Sequence, residues 1–587
     1  MNERNPYIVT KALNSYLKGS VIIAISGHLV TTTDAVVVSW LIGSKAFTAV
    51  NIVIPILTVF SFIMIMLGTG ASISISKALG NRDKNKVNLS FSSSVVGSVI
   101  ISVASALLTY KYTSEIIRYL VHGDLILYDY ALKYLQTFCY AIPFLIVGGV
   151  ISSIVRTDGN TKVISIAVWI GILINILLDI IFIRYLGLGI QGAAWATTIN
   201  YFIVLIICLS HFFTRSNTIR WSIDFKDYFL RIIKNCRLGF STSLNTLLLG
   251  VSLFVINSIM LHYIGSEGIY CWAVCYQIFL ILQMLLSGVD TSIFSIGGVL
   301  LGEDDVTGLY FLYKRSAIYL IISVIILSLA IIIFPEFFGS IFGNRGEDKL
   351  DLLPDVLKIF SLFLFPYAMM MQVRSIYTIL ERGFLSLVIC ISSFALMILF
   401  VYLSALHQEE YLWWSFPFSS WILFVVLFIY TTILHFCNKN LRIYSLIPKN
   451  IPGPIYNASI PLDEKAVGGA EDNMATFLRK NDIDEGKISY SVSVTGEIMS
   501  RMLERLIKDH KKKRYFDINV RIRDAAIIVI LKDDGNRIDR ESEDEIVSGL
   551  RDDFFKGDKP DMAPKPMELA TNYFYMNEQN TITLTFK

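Results

Sequence analysis

Long apolar runs separated by short polar turns fill roughly the first 440 residues of the chain. About twelve runs approach the roughly 20 residues that a helix needs to cross the hydrocarbon core of a bilayer, and the last ends near Phe436. This pattern predicts a polytopic α-helical membrane protein with 12 transmembrane helices. Beyond residue 455 polar residues interrupt the apolar ones at short intervals, which is typical of a domain that folds in water.

The tail, residues 455–587, has the pattern of an α/β sandwich domain. FDINVRIRD (516–524) alternates apolar and polar residues, AAIIVILKDDG (525–535) is typical of a buried strand ending in a turn, and NTITLTFK closes the chain with another strand. GEIMSRMLERLIKDH (496–510) has the spacing of an amphipathic helix. Pro-Gly-Pro at 452–454 marks a linker, which we place at 441–454.

Composition agrees with a membrane protein and excludes several other classes. Of 587 residues 54% are hydrophobic and 17% charged, and the mean hydropathy is +0.58. The net charge of +3 does not favour a nucleic-acid partner. The seven cysteines are scattered, and the nearest pair, Cys271 and Cys275, has no His or carboxylate companions. Neither a disulfide framework nor a metal site is therefore expected.

Lys and Arg are concentrated in alternate loops, including those around Lys77 and Arg156 and the segment from Arg215 to Arg237. The positive-inside rule then places both termini and the tail in the cytoplasm of a multi-pass plasma-membrane protein. The N-terminal segment, with Arg4, Lys11 and Lys18 before the apolar run that starts at Ser20, lacks a small-residue cleavage site. We expect this run to be retained as a membrane span.

The membrane part contains an internal repeat. A shift of about 222 residues lays Gly43-Ser44 on Gly265-Ser266, Gly80 on Gly302 and Asp83 on Asp305. The repeat predicts two six-helix lobes, an N-lobe at 1–218 and a C-lobe at 219–440. Parallel halves of this kind are expected of a secondary transporter, with the substrate cavity between halves that rock against each other.

The predicted fifth span carries a polar pair within an apolar run. Asn175 and Asp179 are four residues apart and share a helix face. An ionised Asp facing lipid costs about 2.5–3.5 kcal/mol, so the face should turn toward the bundle interior. Asp34 in the first span falls in the same half of the membrane, and two carboxylates in a poorly solvated pocket repel each other and can exchange a proton. The alternative is that Asp179 snorkels or pairs with Arg184, and that Asp34 caps a local bend near the three threonines at 31–33.

Four segments resemble the multidrug and toxic compound extrusion (MATE) family of cation-coupled efflux transporters: TTTDAVVVSWLIGSKAFTAV (31–50), GTGASISISKALGNRDK (68–84), RTDGNTK (156–162) and NILLDIIFIRYLGLGIQGAAWAT (175–197). The resemblance covers residues 10–440 and implies a V-shaped, pseudo-two-fold bundle. It also implies an N-lobe site that takes up H+ or Na+ as coupling ion. The matching positions are Asp34, Tyr134, Asn175, Asp179 and Thr197.

In the second half, the stretch that corresponds to the fifth span is VICISSFALMILFVYL (388–403), and it contains no carboxylate. Asp290 in span 8 and Arg374 in span 10 are expected to compensate each other, because an unpaired buried charge is expensive. Asp290 is alternatively a second ion or cationic-substrate contact, and Gln283 is a candidate for the cavity lining.

The tail resembles the histidine-kinase-type ATPase superfamily, particularly its anti-sigma-factor kinase branch. The resemblance implies a degenerate nucleotide site at Glu497, Asp533 and Gly535. Arg501 stands where that family has an Asn that binds Mg2+, and no glycine-rich lid precedes the last strand. Both changes argue against ATP binding and catalysis. We therefore expect a non-enzymatic regulatory module, or a docking module for a cytosolic protein.

Together these features predict an ion-coupled (H+ or Na+) antiporter that requires no cofactor. It would export small organic molecules, cationic or amphipathic, under regulation by the tail. A transporter-like receptor that signals through its tail and a lipid-linked saccharide flippase are the alternatives. The residues leave the choice of coupling ion and the identity of the substrate open.

Overall fold

The computed structural model divides by its contacts into two compact units. The membrane unit comprises residues 17–303 and 313–447, and the tail unit comprises residues 1–16, 304–312 and 448–587. Nothing in the hydropathy pattern indicates that residues 1–16 and 304–312 belong with the tail. The structure describes residues 4–17, 37–38, 41–42, 44–81, 83–121, 125–214, 219–222, 228–264, 266–341, 352–407, 409–450, 453–507, 515–523, 526–535, 569–576 and 579–586.

The first half of the membrane unit follows a short helix, α1, at residues 7–17. Its helices are α2 (Ser44–Gly80), α3 (Lys84–Val121), α4 (Leu125–Phe138), α5 (Ile142–Thr157), α6 (Thr161–Ile180) and α7 (Ile190–Ser210). A π-helical turn, Ile181–Tyr185, extends α6.

The described part of the second half contains six long helices and three short ones. They are α8 (Tyr228–Tyr263), α9 (Ser266–Ser292), α10 (Gly298–Gly302), α11 (Val306–Ile333), α12 (Pro335–Ile341), α13 (Leu353–Ile379), α14 (Gly383–His407), α15 (Glu409–Leu412) and α16 (Ser415–Cys437). A π-helical turn, Ile293–Gly297, joins α9 to α10. The core of this half is aromatic, with the Trp272 and Phe416 rings stacked 4.9 Å apart.

Ten of the described helices are long and apolar enough to cross a membrane, and the bent pair α4–α5 adds an eleventh span. Most of the predicted first span falls outside the described residues, so the total of twelve stays a prediction. The two parts of the bent span meet at 50°. Pro143, at the start of α5, suits a helix beginning because its missing N–H would have no intrahelical partner there.

Repeat-related residues meet where the two halves pack together. A Cβ placed on Gly80 would lie 2.8 Å from the Cα of Gly302, and a Cβ on Gly298 would lie 2.0 Å from Oγ of Ser76. Each pair is separated by the 222 residues of the repeat. Equivalent residues can contact each other only near a two-fold axis, so the end of α2 and α10 lie beside the pseudo-two-fold axis of the membrane unit.

The tail unit contains a five-stranded antiparallel sheet in the order β1-β2-β3-β5-β4. The strands are β1 (Ile455–Pro461), β2 (Tyr515–Arg523), β3 (Ala526–Asp533), β4 (Leu569–Met576) and β5 (Gln579–Phe586), and the helices are α17 (Glu464–Lys480) and α18 (Glu485–Ile507). Alternate residues of β2, Phe516, Ile518 and Val520, join the helices in one apolar core.

The predicted tail elements are found, with corrections at their boundaries. The helix placed at 496–510 begins at Glu485, eleven residues earlier. The sequence pattern missed β1, α17 and β4. In α17, Gly468 and Gly469 weaken the helix signal, although Val467, Ala470, Met474 and Leu478 form a buried stripe at helical spacing.

Candidate functional site

A buried polar face on α6 is the main feature of the first half. Gly171, Asn175 and Asp179 follow each other at four-residue intervals, and all three are buried. Asp179 is only 1% exposed, which does not fit a side chain that snorkels to the headgroups, and Arg184 is exposed. Within the described residues, neither Oδ1 nor Nδ2 of Asn175 has a hydrogen-bond partner. The face therefore offers polar atoms inside the protein.

Helix α7 supplies a second set of oxygens opposite this face. A Cβ on Gly171 would lie 2.3 Å from Oδ1 of Asn200, and a Cβ on Gly192 would lie 3.0 Å from Cβ of Phe182. These two contacts show that α6 and α7 run antiparallel. A step of one turn along α6 from Gly171 to Asn175 therefore corresponds to a step of about one turn back along α7 from Asn200 to Thr197. Thr197 thus lies at the level of Asn175.

The oxygens on α7 are themselves buried. The Thr197 hydroxyl donates to the Ala193 carbonyl at 3.0 Å. The Oδ1 atom of Asn200 has no hydrogen-bond partner among the described residues. Asn200 was not among the predicted site residues. Its signal in the sequence is an amide within an apolar span, three residues from Thr197.

Of the remaining two predicted residues, Tyr134 and Asp34, the structure describes only Tyr134. Tyr134 is buried on α4, its ring stacked on Phe138 with centroids 6.0 Å apart, and α4 packs against both α2 and α7. Asp34 lies outside the described residues. Of the five predicted residues, Tyr134 thus lies on α4, Asn175 and Asp179 on α6 and Thr197 on α7, and the place of Asp34 stays a prediction.

The N-terminus of α6 is held by a network that the sequence did not indicate. Asn160 accepts a hydrogen bond from the Val163 amide at 3.3 Å and so caps the helix. His211, at the end of α7, lies 3.1 Å from Nδ2 of Asn160 through Nδ1 and 2.7 Å from Oδ2 of Asp158 through Nε2. A neutral imidazole protonated on Nε2 satisfies both contacts. The network connects the N-terminal end of α6 to the C-terminal end of α7.

The second half buries a compensated ion pair. Nη2 of Arg374 lies 3.1 Å from Oδ2 of Asp290, and Ser375 donates to the other carboxylate oxygen at 2.5 Å. Arg374 also donates to the Ser241 carbonyl at 3.2 Å. The Asp290 carboxylate is thus already engaged by protein donors.

Gln283 lies two turns before Asp290 on the same helix. Its Nε2 donates to the Tyr367 hydroxyl at 3.0 Å. Gln283 and Asp290 are seven residues apart on α9, and their partners Tyr367 and Arg374 are seven residues apart on α13. The two helices therefore run parallel here and are joined by two polar contacts.

The predicted nucleotide residues of the tail are engaged in local contacts. Glu497 pairs with Arg501 at 2.5 Å. The Asp533 carboxylate accepts hydrogen bonds from the Gly535 amide at 2.7 Å and from Nδ2 of Asn580 at 2.8 Å. These contacts hold the end of β3 against β5.

The two repeated helical halves, with a buried polar face in the first, define a polytopic membrane protein of the transporter type. The sequence profile of the MatE family matches residues 21–181 and again residues 242–403, together more than half of the chain. The chain belongs to the MatE family. The second match repeats the first at an offset of about 222 residues, which confirms the internal repeat.

Curated relatives share about a quarter of the aligned residues. The chain is 24% identical over 257 residues to the multidrug export protein MepA of Staphylococcus haemolyticus, which covers 44% of this chain and 56% of MepA. It is 25% identical over 277 residues to the probable multidrug resistance protein YoeA of Bacillus subtilis, covering 45% and 59%. The chain thus matches somewhat more than half the length of these relatives.

Solved structures confirm the fold over a longer stretch. The outward-facing conformation of a multidrug resistance MATE family transporter of the MOP superfamily superposes with a TM-score of 0.67 at 20% identity, over 73% of this chain and 96% of that chain. A MOP-superfamily transporter from Pyrococcus furiosus Vc1, described as having a binding pocket of reversed polarity, gives the same TM-score and identity over 75% and 99%.

Proposed function

We propose that the chain is an ion-coupled antiporter that exports small organic molecules, cationic or amphipathic. The observation that carries the proposal is the buried polar face of α6, with Asn175 and Asp179 on it, inside a MatE-family fold. The relatives named as multidrug export and multidrug resistance proteins support the substrate class.

The polar side chains of the first half fit a small hard cation or a proton. Asp179 supplies a carboxylate, while Asn175, Asn200 and Thr197 supply neutral oxygens, which are the ligands that Na+ shares with other hard cations. Asp34, from the first span, would add a second carboxylate. Binding of H+ or Na+ neutralises charge in the dry interior, and this changes the relative free energies of the two arrangements of the halves.

Mutation of the two carboxylates tests this role. Asp34→Asn and Asp179→Asn should each abolish gradient-driven efflux of a cationic dye from vesicles, because Asn neither carries nor exchanges the charge. Asp129→Asn is the matched control, since Asp129 lies in the same half and its pair with Lys133 is exposed. Normal efflux in both site variants would contradict the proposal.

The compensated pair in the second half has a structural role in this proposal. Arg374 already neutralises Asp290, so we propose that ion coupling belongs to the first half. Binding of the dye without its transport would instead favour the receptor interpretation.

The tail is, in this proposal, a non-catalytic regulatory domain related to histidine-kinase-type ATPases. The pairing of Glu497 with Arg501 and the local contacts of Asp533 support the loss of catalysis. Titration calorimetry of the full chain with ATP and Mg2+ should give no heat of specific binding. A saturable signal that disappears in Asp533→Ala would contradict this part of the proposal.

The proposed orientation is cytoplasmic for both termini and the tail. The distribution of Lys and Arg supports it, and so do the contacts inside the tail unit. Residues from the N-terminus, from 304–312 and from the tail contact each other directly, which supports the placement of all three on one side of the membrane.

A further inference from the structure

The polar face of the tail sheet is covered by other parts of the same chain. Asp517, Asn519, Arg521 and Arg523 alternate along β2, opposite the apolar residues that enter the core. Arg4, near the N-terminus, places Nη2 3.3 Å from Oδ2 of Asp517 and 2.5 Å from Oδ2 of Asp305. All three of these side chains are at most 5% exposed.

A second contact fixes the turn before α11. Nη1 of Arg521 lies 3.1 Å from Oδ2 of Asp304, and Arg523 pairs with the same oxygen. Asp304 has a φ of +57°, a conformation in which Asp and Asn are favoured over most residues. Asp305 accepts from the Gly308 amide at 2.8 Å and caps α11. The acidic turn thus ties the helix start to β2.

A third contact places α1 against the loop after β3. Lys11 reaches Oδ2 of Asp534 at 2.7 Å, and the Tyr7 hydroxyl donates to the same oxygen at 2.8 Å. Nε2 of Gln579, on β5, donates to the Ile8 carbonyl at 2.7 Å. The loop that would receive adenine in a related ATPase is therefore in contact with the chain's own N-terminal helix.

Charge complementarity distinguishes this surface from incidental packing. Arg4, Arg521 and Arg523 face the carboxylates of Asp304, Asp305 and Asp517, and most of these groups are buried. Burial raises the pKa of Asp517, and Arg4 opposes that shift. Each buried charge needs its partner to remain ionised, so the surface is specific for these occupants.

We propose that the polar face of the tail sheet is an intramolecular docking surface, occupied by residues 4–16 and the Asp304–Asp305 turn, and that the docked tail restrains the two halves of the membrane unit. Helix α1 precedes the first half, and the turn leads into α11 of the second half. The docked sheet therefore joins one segment from each half. The restraint rests on the proposed transport function; the docking does not.

Cleavage of the linker tests the docking. A protease site is inserted at residues 451–454 of the full chain, which carries a C-terminal tag, and the cleaved protein is held on resin through the tail. The membrane part should stay bound. Release should accelerate about 30-fold or more in Arg4→Gln and in Asp304→Asn, because each removes one partner of a buried charge pair.

These variants leave the tail sequence unchanged, so faster release does not reflect an unfolded tail. Asn also keeps the backbone preference of position 304. Arg479→Gln is the matched control, since the Arg479–Glu485 pair is exposed and lies within the tail; its release should match the wild type. Immediate release of the wild-type membrane part, or equal release in all variants, would overturn the docking.

Dye efflux from vesicles tests the restraint in the same variants. Faster efflux in Arg4→Gln and Asp304→Asn than in Arg479→Gln supports it, and equal or slower efflux overturns it. A wild-type chain without efflux would overturn the transport proposal, whereas the resin assay would still decide the docking.

Discussion

Buried polar side chains in this molecule divide into those that protein partners satisfy and those that they do not. Asn235 is of the first kind: Ser74 donates to its Oδ1 at 2.5 Å and its Nδ2 donates to Ser94 at 2.8 Å. Asn175 is of the second kind within the described residues. An unsatisfied buried amide costs stability, so its retention points to function rather than folding.

Replacement of each Asn by Leu should separate the two cases. Asn175→Leu should leave thermal stability within about 1 kcal/mol of the wild type, or raise it, because no hydrogen bond is lost. Its efflux should fall at least tenfold. Asn235→Leu should destabilise by about 1–3 kcal/mol because it removes the acceptor of the Ser74 hydroxyl and the amide that donates to Ser94. Thermal unfolding in detergent measures both, and equal losses of stability would contradict the distinction.

The Asp290–Arg374 pair gives a different prediction. Arg374→Met should destabilise by about 3–5 kcal/mol, because a buried carboxylate loses its counter-charge. The double variant Asp290→Leu/Arg374→Met should recover most of that loss, since a buried pair is replaceable by apolar groups of similar volume. Thermal unfolding of the two variants checks this. If the double variant is no more stable than the single one, the pair is not simply compensating.

Glu381 gives a prediction for pH. Lys77 donates to it at 2.8 Å and lowers its pKa from the ordinary value of 4.5. A lowered carboxyl pKa contributes stability that is complete above the ordinary value and is lost only as the pH falls below it. Glu381→Gln should therefore leave the pH profile of efflux between pH 6 and 8 unchanged. A shifted profile in vesicle assays would assign the pH response to this pair.

At the scale of helices and strands, glycine sets how closely the two halves approach. A Cβ on Gly80 would lie 2.2 Å from the Val299 carbonyl oxygen, which is backbone and cannot rotate away. Gly80→Ala should destabilise by about 1–3 kcal/mol through overpacking. Gly383→Ala is the matched control, because nothing lies within 4 Å of its Cβ position. Equal melting temperatures of the two variants would contradict the close packing.

The sequence predicts some of these elements far better than others. Membrane spans follow from composition, because lipid requires an apolar surface over a fixed length. The polar face of α6 follows from the four-residue spacing of Asn175 and Asp179. Asn200 was missed because a lone amide in an apolar span does not show which helix it faces. Its contact with Gly171 depends on the register of α6 and α7.

At the scale of the whole molecule, the repeat could be predicted but the composition of the tail unit could not. Gly80 and Gly302 are repeat equivalents that the sequence aligns and the structure brings together. In contrast, Arg4, Asp304 and Asp517 are far apart in the chain, and no local pattern joins them. Their ion pairs depend on tertiary structure alone, which is why residues 1–16 and 304–312 were not assigned to the tail.

Dye efflux from vesicles in which the proton and sodium gradients are collapsed separately measures whether the buried polar face of α6 couples ion entry to export. Collapse of one gradient should stop efflux by the wild type, and Asp179→Asn should show the same low rate with or without that gradient. Wild-type efflux that persists after both gradients are collapsed would contradict this coupling. Efflux by Asp179→Asn that depends on the gradients as strongly as wild-type efflux does would also contradict it.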